Sequence, residues 1–465
     1  MAAALAPGRF HYAGIGGSGM SALAQFHRWA GATVSGSDRS FDRGEQTELA
    51  AALRRQGITL FPQDGSGVAG DCRALVVSTA IESEVSDLQA ARARRLPVLH
   101  RAALLAQFVA AQRSVAVAGS SGKSTVAAWI FELLRGCGRA ASYLGGAASI
   151  ALQREGLWGN AYRGRPGAAG AELLVVEADE SDGTLEHYEP AIGVVLNLHK
   201  DHKETGELQR LFAGFAARCR EAVVIGDSEP LAALGARATV FGFGPRAAVR
   251  GVALELEPRA SRFEVEGVRF TVPLPGAHNA ANALAAIAAG KALGLELGEM
   301  VAPLAGFQGI QRRFESIGGA GGVEVVDDYA HNPAKVEAAI RTAQLRARRV
   351  LAIYQPHAFA PTRFFRPELV ESFCLALGAQ DRLWLLEVFY AGGSAQRDFS
   401  AADIAAEIRQ CGARAEFAPS RAWLVERVAA EARAGDLVLV MGARDPSLAA
   451  LAREILQTLE LRNAG

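Results

Sequence analysis

Apolar residues fall in short runs, each closed by glycine-rich or polar punctuation and followed by a stretch with helical spacing. The alternation begins at once. RFHYAGIG predicts a strand, the stretch from Met20 to Trp29 a helix, and ATVSGSD a second strand. ALVVSTA, DLQAARARR and PVLH continue as strand, helix and strand. A second block opens on the strand SVAVAG and carries the strands AELLVVEAD and GVVLNL. Between the first and second of these, WGNAYRGRPGAAGAE is Gly-rich and polar and is expected to be a loop. Residues 246–275 pattern as short antiparallel strands, and HNAANALAAIAAGKAL after the turn PLPG as a helix. A third block starts around QRRFE at 311–315, with strands VEVVDDY, RVLAIYQ, DRLWLLEVF and DLVLVMG separated by helical patterns. Such alternation predicts an α/β chain of three domains: Rossmann-like over 1–109, a P-loop domain over 110–312, and a second Rossmann-like domain over 313–465.

Composition narrows the function without choosing it. The 465 residues carry 49 basic and 49 acidic side chains, a balance that argues against nucleic acid as partner. No run reaches the ~18 apolar residues that cross a bilayer, and MAAALAPGRFHY lacks the apolar core of a signal peptide. Cys72, Cys137, Cys219, Cys374 and Cys411 are scattered with no CxxC pair, so reduced thiols and a cytoplasmic location are expected. Oligomeric state is not legible. Lysine occurs only at 123, 200, 203, 291 and 335, and the first of these sits in a glycine loop.

That loop is Gly119-Ser120-Ser121-Gly122-Lys123-Ser124-Thr125, between a strand and a helix. Its backbone N–H groups and the helix dipole would converge on a phosphate, with Lys123 on the β/γ-phosphates and the Ser124 hydroxyl on magnesium. The spacing is short by one feature: Val117 stands where the full Walker pattern has its first glycine. Downstream, VVEADESD places Glu177 at a strand end as second magnesium ligand. Asp179, Glu180 and Asp182 are either part of that site or a solvated loop. Asp201-His202 ends the next strand and could hold a metal or simply be structural. His278, Asn279 and Asn282 open a helix, where asparagine can either meet an adenine edge or cap. The N-terminal Gly14-x-Gly16-Gly17-x-Gly19, with Asp38 beyond it, has the look of a dinucleotide fingerprint. Alone it suggests an NAD-dependent dehydrogenase, which would leave the second loop without a purpose.

GIGGSGMSALAQ…VSGSD, STAIESEV, GKST, EADESD, DH, PGAHNAANALAA, RRFE, DDYAHNP and YQPH, in that order and over nearly the whole chain, resemble the Mur ligases. The resemblance implies an ATP-dependent amide ligase of peptidoglycan precursor synthesis. It would add L-alanine, or a similar small amino acid, to UDP-N-acetylmuramate through an acyl phosphate. The C-terminal domain would close over ATP and bind the amino acid. Gly16, Gly17, Ser18, Gly19, Met20, Ser37, Asp38 and Ser78 would bind the UDP-sugar. The GSSGKST loop, Asn279, Asn282, Arg313 and Asp328 would bind ATP. Lys123, Glu177, His202, Arg313 and His331 would serve catalysis, with Ser124, Glu177 and His202 holding two Mg²⁺ ions. His357 and Arg363 would take the amino acid.

The chain also departs from the family pattern. Members that attach the first amino acid usually have Thr-His where Ser120-Ser121 stand, two arginines where Ala358 and Pro361 stand, and a second histidine where Asn332 stands. No lysine lies between Lys203 and Lys291, so the carbamylated lysine of several relatives is not expected. Two alternatives stay open: a recycling ligase that adds an intact tripeptide, and a non-catalytic regulator that binds ATP and UDP-sugar.

Overall fold

A computed structural model describes residues 8–164, 173–180, 184–199, 205–390, 396–445 and 447–464. The chain gathers into two compact units, one of Met1–Leu254, Phe263–Val272 and Ala281–Ile310, the other of Glu255–Arg262, Pro273–Ala280 and Gln311–Gly465.

The first sheet contains β1 (Arg9–Ala13), β2 (Thr33–Ser37), β3 (Thr59–Phe61), β4 (Cys72–Val77) and β5 (Val98–His100). All are parallel, in the order β3-β2-β1-β4-β5. The chain reverses its winding between β1 and β4, and the crevice at their carboxyl ends is where such sheets bind ligands. The loop after β1, Asp38 after β2 and Ser78 after β4 all lie on that edge.

Ten strands make the second sheet: β6 (Arg113–Ala118), β7 (Ala141–Leu144), β8 (Ala161–Tyr162), β9 (Leu173–Glu177), β10 (Ile192–Val195), β11 (Ala222–Gly226), β12 (Thr239–Gly242), β13 (Val249–Leu256), β14 (Ser261–Val265) and β15 (Val268–Val272). Their order is β15-β14-β13-β12-β11-β10-β6-β9-β7-β8. β6 lies between β10 and β9, parallel to both, which is why its apolar run is buried to the last residue before the glycine loop.

One expectation changes here. Ala161-Tyr162, inside the stretch expected to be loop, forms a short strand antiparallel to β7 and too brief for any periodicity to reveal. β13 joins the preceding β12 in parallel. The following turn does meet the expectation. Glu266 and Gly267 both have positive φ (50° and 80°), the two-residue hairpin geometry that fits the strand twist.

The helix Lys123–Gly136 is clamped along its length. Trp129 stacks on Phe307 with ring centroids 4.4 Å apart, and the Glu132 carboxylate accepts a 2.8 Å hydrogen bond from the Ser149 hydroxyl. Burial raises the Glu132 pKa from 4.5 to about 7. A raised carboxyl pKa means the fold holds the protonated form more tightly. Its contribution is therefore complete below 4.5 and lost as pH rises through about 7. Glu132→Gln should melt like the parent near pH 4 and gain on the order of 2–3 kcal/mol over it near pH 8. Parallel melting curves at the two pH values would show that the side chain does not titrate in this way.

The third sheet has β16 (Glu315–Ala320), β17 (Val323–Asp328), β18 (Arg349–Gln355), β19 (Arg382–Leu385), β20 (Ala415–Phe417) and β21 (Asp436–Gly442), ordered β16-β17-β21-β18-β19-β20. Only β16–β17 is antiparallel. Separate apolar cores line the two faces, one around Ile340, Phe373 and Ile404, the other around Trp384, Leu424 and Ile455. Hence β17, β18 and β21 read as almost continuous apolar runs.

One cysteine expectation is overturned. Cys374, in the helix Phe359–Ala376, and Cys411, capping the helix Ala401–Gln410, form a disulfide across 37 residues of sequence. Helix packing brings them together, and no local motif announces it. Cys72, Cys137 and Cys219 are free thiols. Among the described residues no helix is long and apolar enough to cross a membrane.

Candidate functional site

Two glycines set the second loop. Gly119 and Gly122 have φ of +134° and +89°, a region that L side chains rarely enter. A Cβ at Gly119 would lie 3.0 Å from the Leu196 side chain, and one at Gly122 would lie 2.5 Å from Asn282 Oδ1. Asn282 therefore stands directly over the loop. Ser121 N–H donates to Asn197 Oδ1 at 2.9 Å and Asn197 Nδ2 returns a bond to Ser121 O at 3.0 Å, so a side chain from the end of β10 braces the loop. The Ser120 hydroxyl is 1% exposed as a residue and donates to His199 O at 2.9 Å, which makes it a brace as well. Thr125 is buried in the first helical turn.

Lys123 Nζ donates to Gly119 O at 2.8 Å and to both Glu180 oxygens at 3.0 and 2.8 Å. Burial works against the ammonium, but Glu180, Asp179 and Glu177 around it prevail and hold its pKa above the ordinary lysine value. Glu180 is thus part of the site and not a solvated loop residue. The Ser124 hydroxyl donates to Glu177 at 3.0 and 2.9 Å, and Glu177 Oε2 also accepts the Gly146 N–H at 2.8 Å. These are hard oxygen donors, suited to magnesium. No cluster of three or more His, Cys, Asp or Glu able to hold a metal occurs among the described residues, so Ser124 and Glu177 would need phosphate oxygens and water to complete a shell. Asp182, Asp201 and His202 lie outside the described residues.

The first loop closes on itself. Gly16 N–H donates to Asp38 Oδ2 at 2.8 Å, while Asp38 Oδ1 accepts Ser40 N–H and Oγ–H at 2.9 and 2.7 Å. A Cβ at Gly16 would lie 2.8 Å from Asp38 Oδ2, so the glycine is needed for that approach. Gly17 is the cap residue of the helix Ser18–Trp29, whose first-turn amides (Ser18, Gly19, Met20) have no intrahelical acceptor, as an anion-binding helix end requires. Arg101, opening the helix Arg101–Ala111, lays its guanidinium against Gly19, where a side chain would have to displace it. No motif marked it. Ser78 follows β4 on the same edge, and its carbonyl accepts from Ile81 N–H at 3.1 Å. Ser37 points the other way. Its hydroxyl bonds the buried Asp87, beside buried His11 and Ser35, so strand alternation has turned it from the ligand edge into the core.

In the second unit, DDYAHNP and YQPH bring their residues together at the carboxyl ends of β17 and β18. Asp328 accepts N–H bonds from Phe314 and Ala330, both at 2.7 Å. Burial raises its pKa to about 6 against the pull of Arg313, leaving it mostly ionised near pH 7. His331 Nδ1–H donates to Tyr329 O at 2.9 Å, its ring is 5.3 Å from that of His357, and burial holds its pKa well below the ordinary value. It is a neutral imidazole with Nε2 as the acceptor nitrogen. Arg313 lies over the Tyr329 ring at 4.9 Å, whereas its neighbour Arg312 is tied to Asp327 at 3.0 Å and Gly442 O at 2.8 Å.

Asn332 caps the helix Pro333–Gln344 through Lys335 N–H at 3.0 Å, a task for which asparagine suits the place better than histidine. Asn279 is buried and donates to Pro275 O at 2.8 Å, so its amide holds the turn before its helix. Arg363 is half turned away. It pairs with Asp398 and donates to Gln396 O at 3.1 Å. A set that no motif announced lies after β21, where Arg421 bridges the buried Asp445 at 2.6 Å and Ser447 Oγ at 2.7 Å.

Three family models match in chain order: the Mur ligase family catalytic domain over residues 9–113, the Mur ligase middle domain over 117–290, and the Mur ligase glutamate ligase domain over 312–444. The chain is 34% identical over 458 residues to the UDP-N-acetylmuramate–L-alanine ligase of Dinoroseobacter shibae, covering 94% of each. It is 35% identical over 457 residues to that of Acidothermus cellulolyticus, covering 94% of this chain and 92% of the relative. The solved UDP-N-acetylmuramate–alanine ligase of Thermotoga maritima has the same fold (TM-score 0.80, 23% identity, 98% of this chain and 100% of that one). So does a murein peptide ligase of Psychrobacter arcticus (TM-score 0.70, 20% identity, 97% and 99%).

Proposed function

This chain belongs to the Mur ligase family, and from that premise we propose that it joins L-alanine to UDP-N-acetylmuramate at the expense of ATP. The alanine ligases it resembles match it over 94% of its length, which favours a single amino acid over an intact tripeptide and catalysis over a purely regulatory role. The arrangement that carries the reading is the head of the helix Lys123–Gly136, where Lys123 and Ser124 each meet a carboxylate from the end of β9.

The chemistry follows from that arrangement. A carboxylate oxygen of the muramoyl group attacks the γ-phosphorus, the bond to the ADP oxygen breaks, and an acyl phosphate results. The amino group then attacks the acyl carbon, loses a proton, and inorganic phosphate leaves. Catalysis of this kind is positioning plus neutralisation of charge. Lys123 would exchange Glu180 for the β/γ-phosphates. Magnesium held by Ser124 and Glu177 would neutralise the phosphate oxygens, with His202 assigned to a second ion. Asn282 and Asn279 would flank the adenine. The amides of Gly16 to Met20, with Arg101, would hold the diphosphate. Asp328, Arg313, His331 and His357 would serve the nucleotide rim and the amino acid. Arg363 would have to leave Asp398 to join them. We assign these roles to domains 1–109, 110–312 and 313–465, and the reaction to the cytoplasm, where ATP and UDP-sugars are found.

Phosphate release from ATP and Mg²⁺, with UDP-N-acetylmuramate and a panel of single amino acids and the tripeptide, tests the assignment. Release should require the sugar and L-alanine together. Release with the tripeptide alone would make the enzyme a recycling ligase, and no release with any acceptor would remove the ligase reading.

A further inference from the structure

Asn160 belongs to none of the motifs, yet it sits between the two loops. It is 1% exposed. Its Nδ2 donates to Ser18 O at 2.9 Å and to Ser21 Oγ at 3.0 Å, and its Oδ1 accepts from Gln25 Nε2 at 3.0 Å. All three partners lie on the helix Ser18–Trp29, whose N-terminus faces the diphosphate edge of the first sheet. The Asn160 carbonyl looks the other way and accepts Gly145 N–H at 2.9 Å. The next amide, Gly146 N–H, donates to Glu177 Oε2. A side chain at either glycine would force its neighbour to move: a Cβ on Gly145 would collide with the Tyr143 hydroxyl, and one on Gly146 would lie 2.8 Å from Glu177 Oε2.

We propose that Asn160 is a positioning residue that keeps the diphosphate loop in register with the carboxylate of the phosphoryl-transfer centre. The inference rests on the function proposed above. In that reaction the nucleophile arrives on a sugar anchored at the first loop, and its target phosphate is anchored at the second. The attacking oxygen must come within about 3–3.5 Å of phosphorus, and a misplacement of about 1 Å is worth a large part of the rate. A side chain with two donors and an acceptor fixed to one loop's helix, and a carbonyl fixed to Gly145 N–H, next to the amide that holds Glu177, sets that distance without touching either substrate. Being buried and hydrogen-bonded on every side, it holds the spacing stiffly.

A purely structural asparagine would act through folding or through the affinity of one ligand. A positioning residue acts on the step that needs both. Asn160→Ala should bind UDP-N-acetylmuramate alone, and a non-hydrolysable ATP analogue alone, within about threefold of the parent, while kcat for phosphate release falls roughly 30-fold. Ser21→Ala, which removes one acceptor and leaves Asn160 in place, should lower kcat several-fold with KM values unchanged, and it guards against misfolding of the first variant. The inference is overturned if kcat is unaffected in both variants. It is equally overturned if the loss is wholly in the affinity for one ligand, or if activity merely follows the folded fraction in thermal melts. Parent enzyme inactive with every acceptor would overturn the functional reading itself; an active parent with unaffected variants overturns only the role of Asn160.

Discussion

Lys123→Ala should lower ATP-dependent phosphate release by at least about 10³-fold while the affinity for UDP-N-acetylmuramate stays within about twofold. The loss is large because Lys123 is tied into the cradle itself, through the Gly119 carbonyl and Glu180. The ammonium sits at the first residue of the helix Lys123–Gly136, within 2.8 Å of the loop carbonyl of Gly119. The sugar site is spared because its amides and Asp38 belong to another sheet. The substitution has a second effect that must be kept apart from the first. Glu180 is 3% exposed, and without Lys123 its charge is buried and unpaired, a loss of about 3–5 kcal/mol unless it takes up a proton. Pairing the change with Glu180→Gln separates the two. The double variant should recover the melting temperature and none of the activity. Recovery of activity along with stability would mean that Lys123 serves the fold and not the phosphate.

Glu177→Gln tests the metal. The amide oxygen can still accept from Gly146 N–H or Ser124 Oγ–H, so the loop should keep its shape and the melting temperature should move little. The negative charge assigned to magnesium is gone. Turnover at a fixed low Mg²⁺ concentration should fall about 10³-fold, and the Mg²⁺ concentration giving half-maximal rate should rise, because the ion loses its only protein carboxylate in this pair. An unchanged Mg²⁺ dependence would place the ion elsewhere. The contrast with Lys123 is informative: excess Mg²⁺ should partly restore Glu177→Gln and should do nothing for Lys123→Ala.

Much of this was legible in the chain because strand ends and glycine loops are local. GKST, Glu177 and the first loop follow from a few adjacent residues, and the parallel sheets follow from apolar runs alternating with helical spacing. What stayed hidden depends on residues far apart in sequence. Asn197 braces the loop from the end of β10, Arg101 meets Gly19 from another helix, and Asn160 reaches back to Ser18. No spacing rule reports such pairs. Ser37 was assigned with its neighbour Asp38, yet its hydroxyl is buried on Asp87. Arg363 was assigned by its place after YQPH, yet the fold gives it Asp398. The bond between Cys374 and Cys411 joins two helices whose packing no cysteine pattern encodes.

Asp38 carries a wider lesson for engineering. In redox enzymes, exchanging the acid at the end of a glycine fingerprint is a common way to retune which dinucleotide is chosen. Here both oxygens of that acid are already spent, one on the Gly16 amide and one on Ser40. Replacing Asp38 would loosen the turn that shapes the anion pocket and would confer no preference for a different ribose. The same spelling that advertises a cofactor in one lineage serves here as a tie rod.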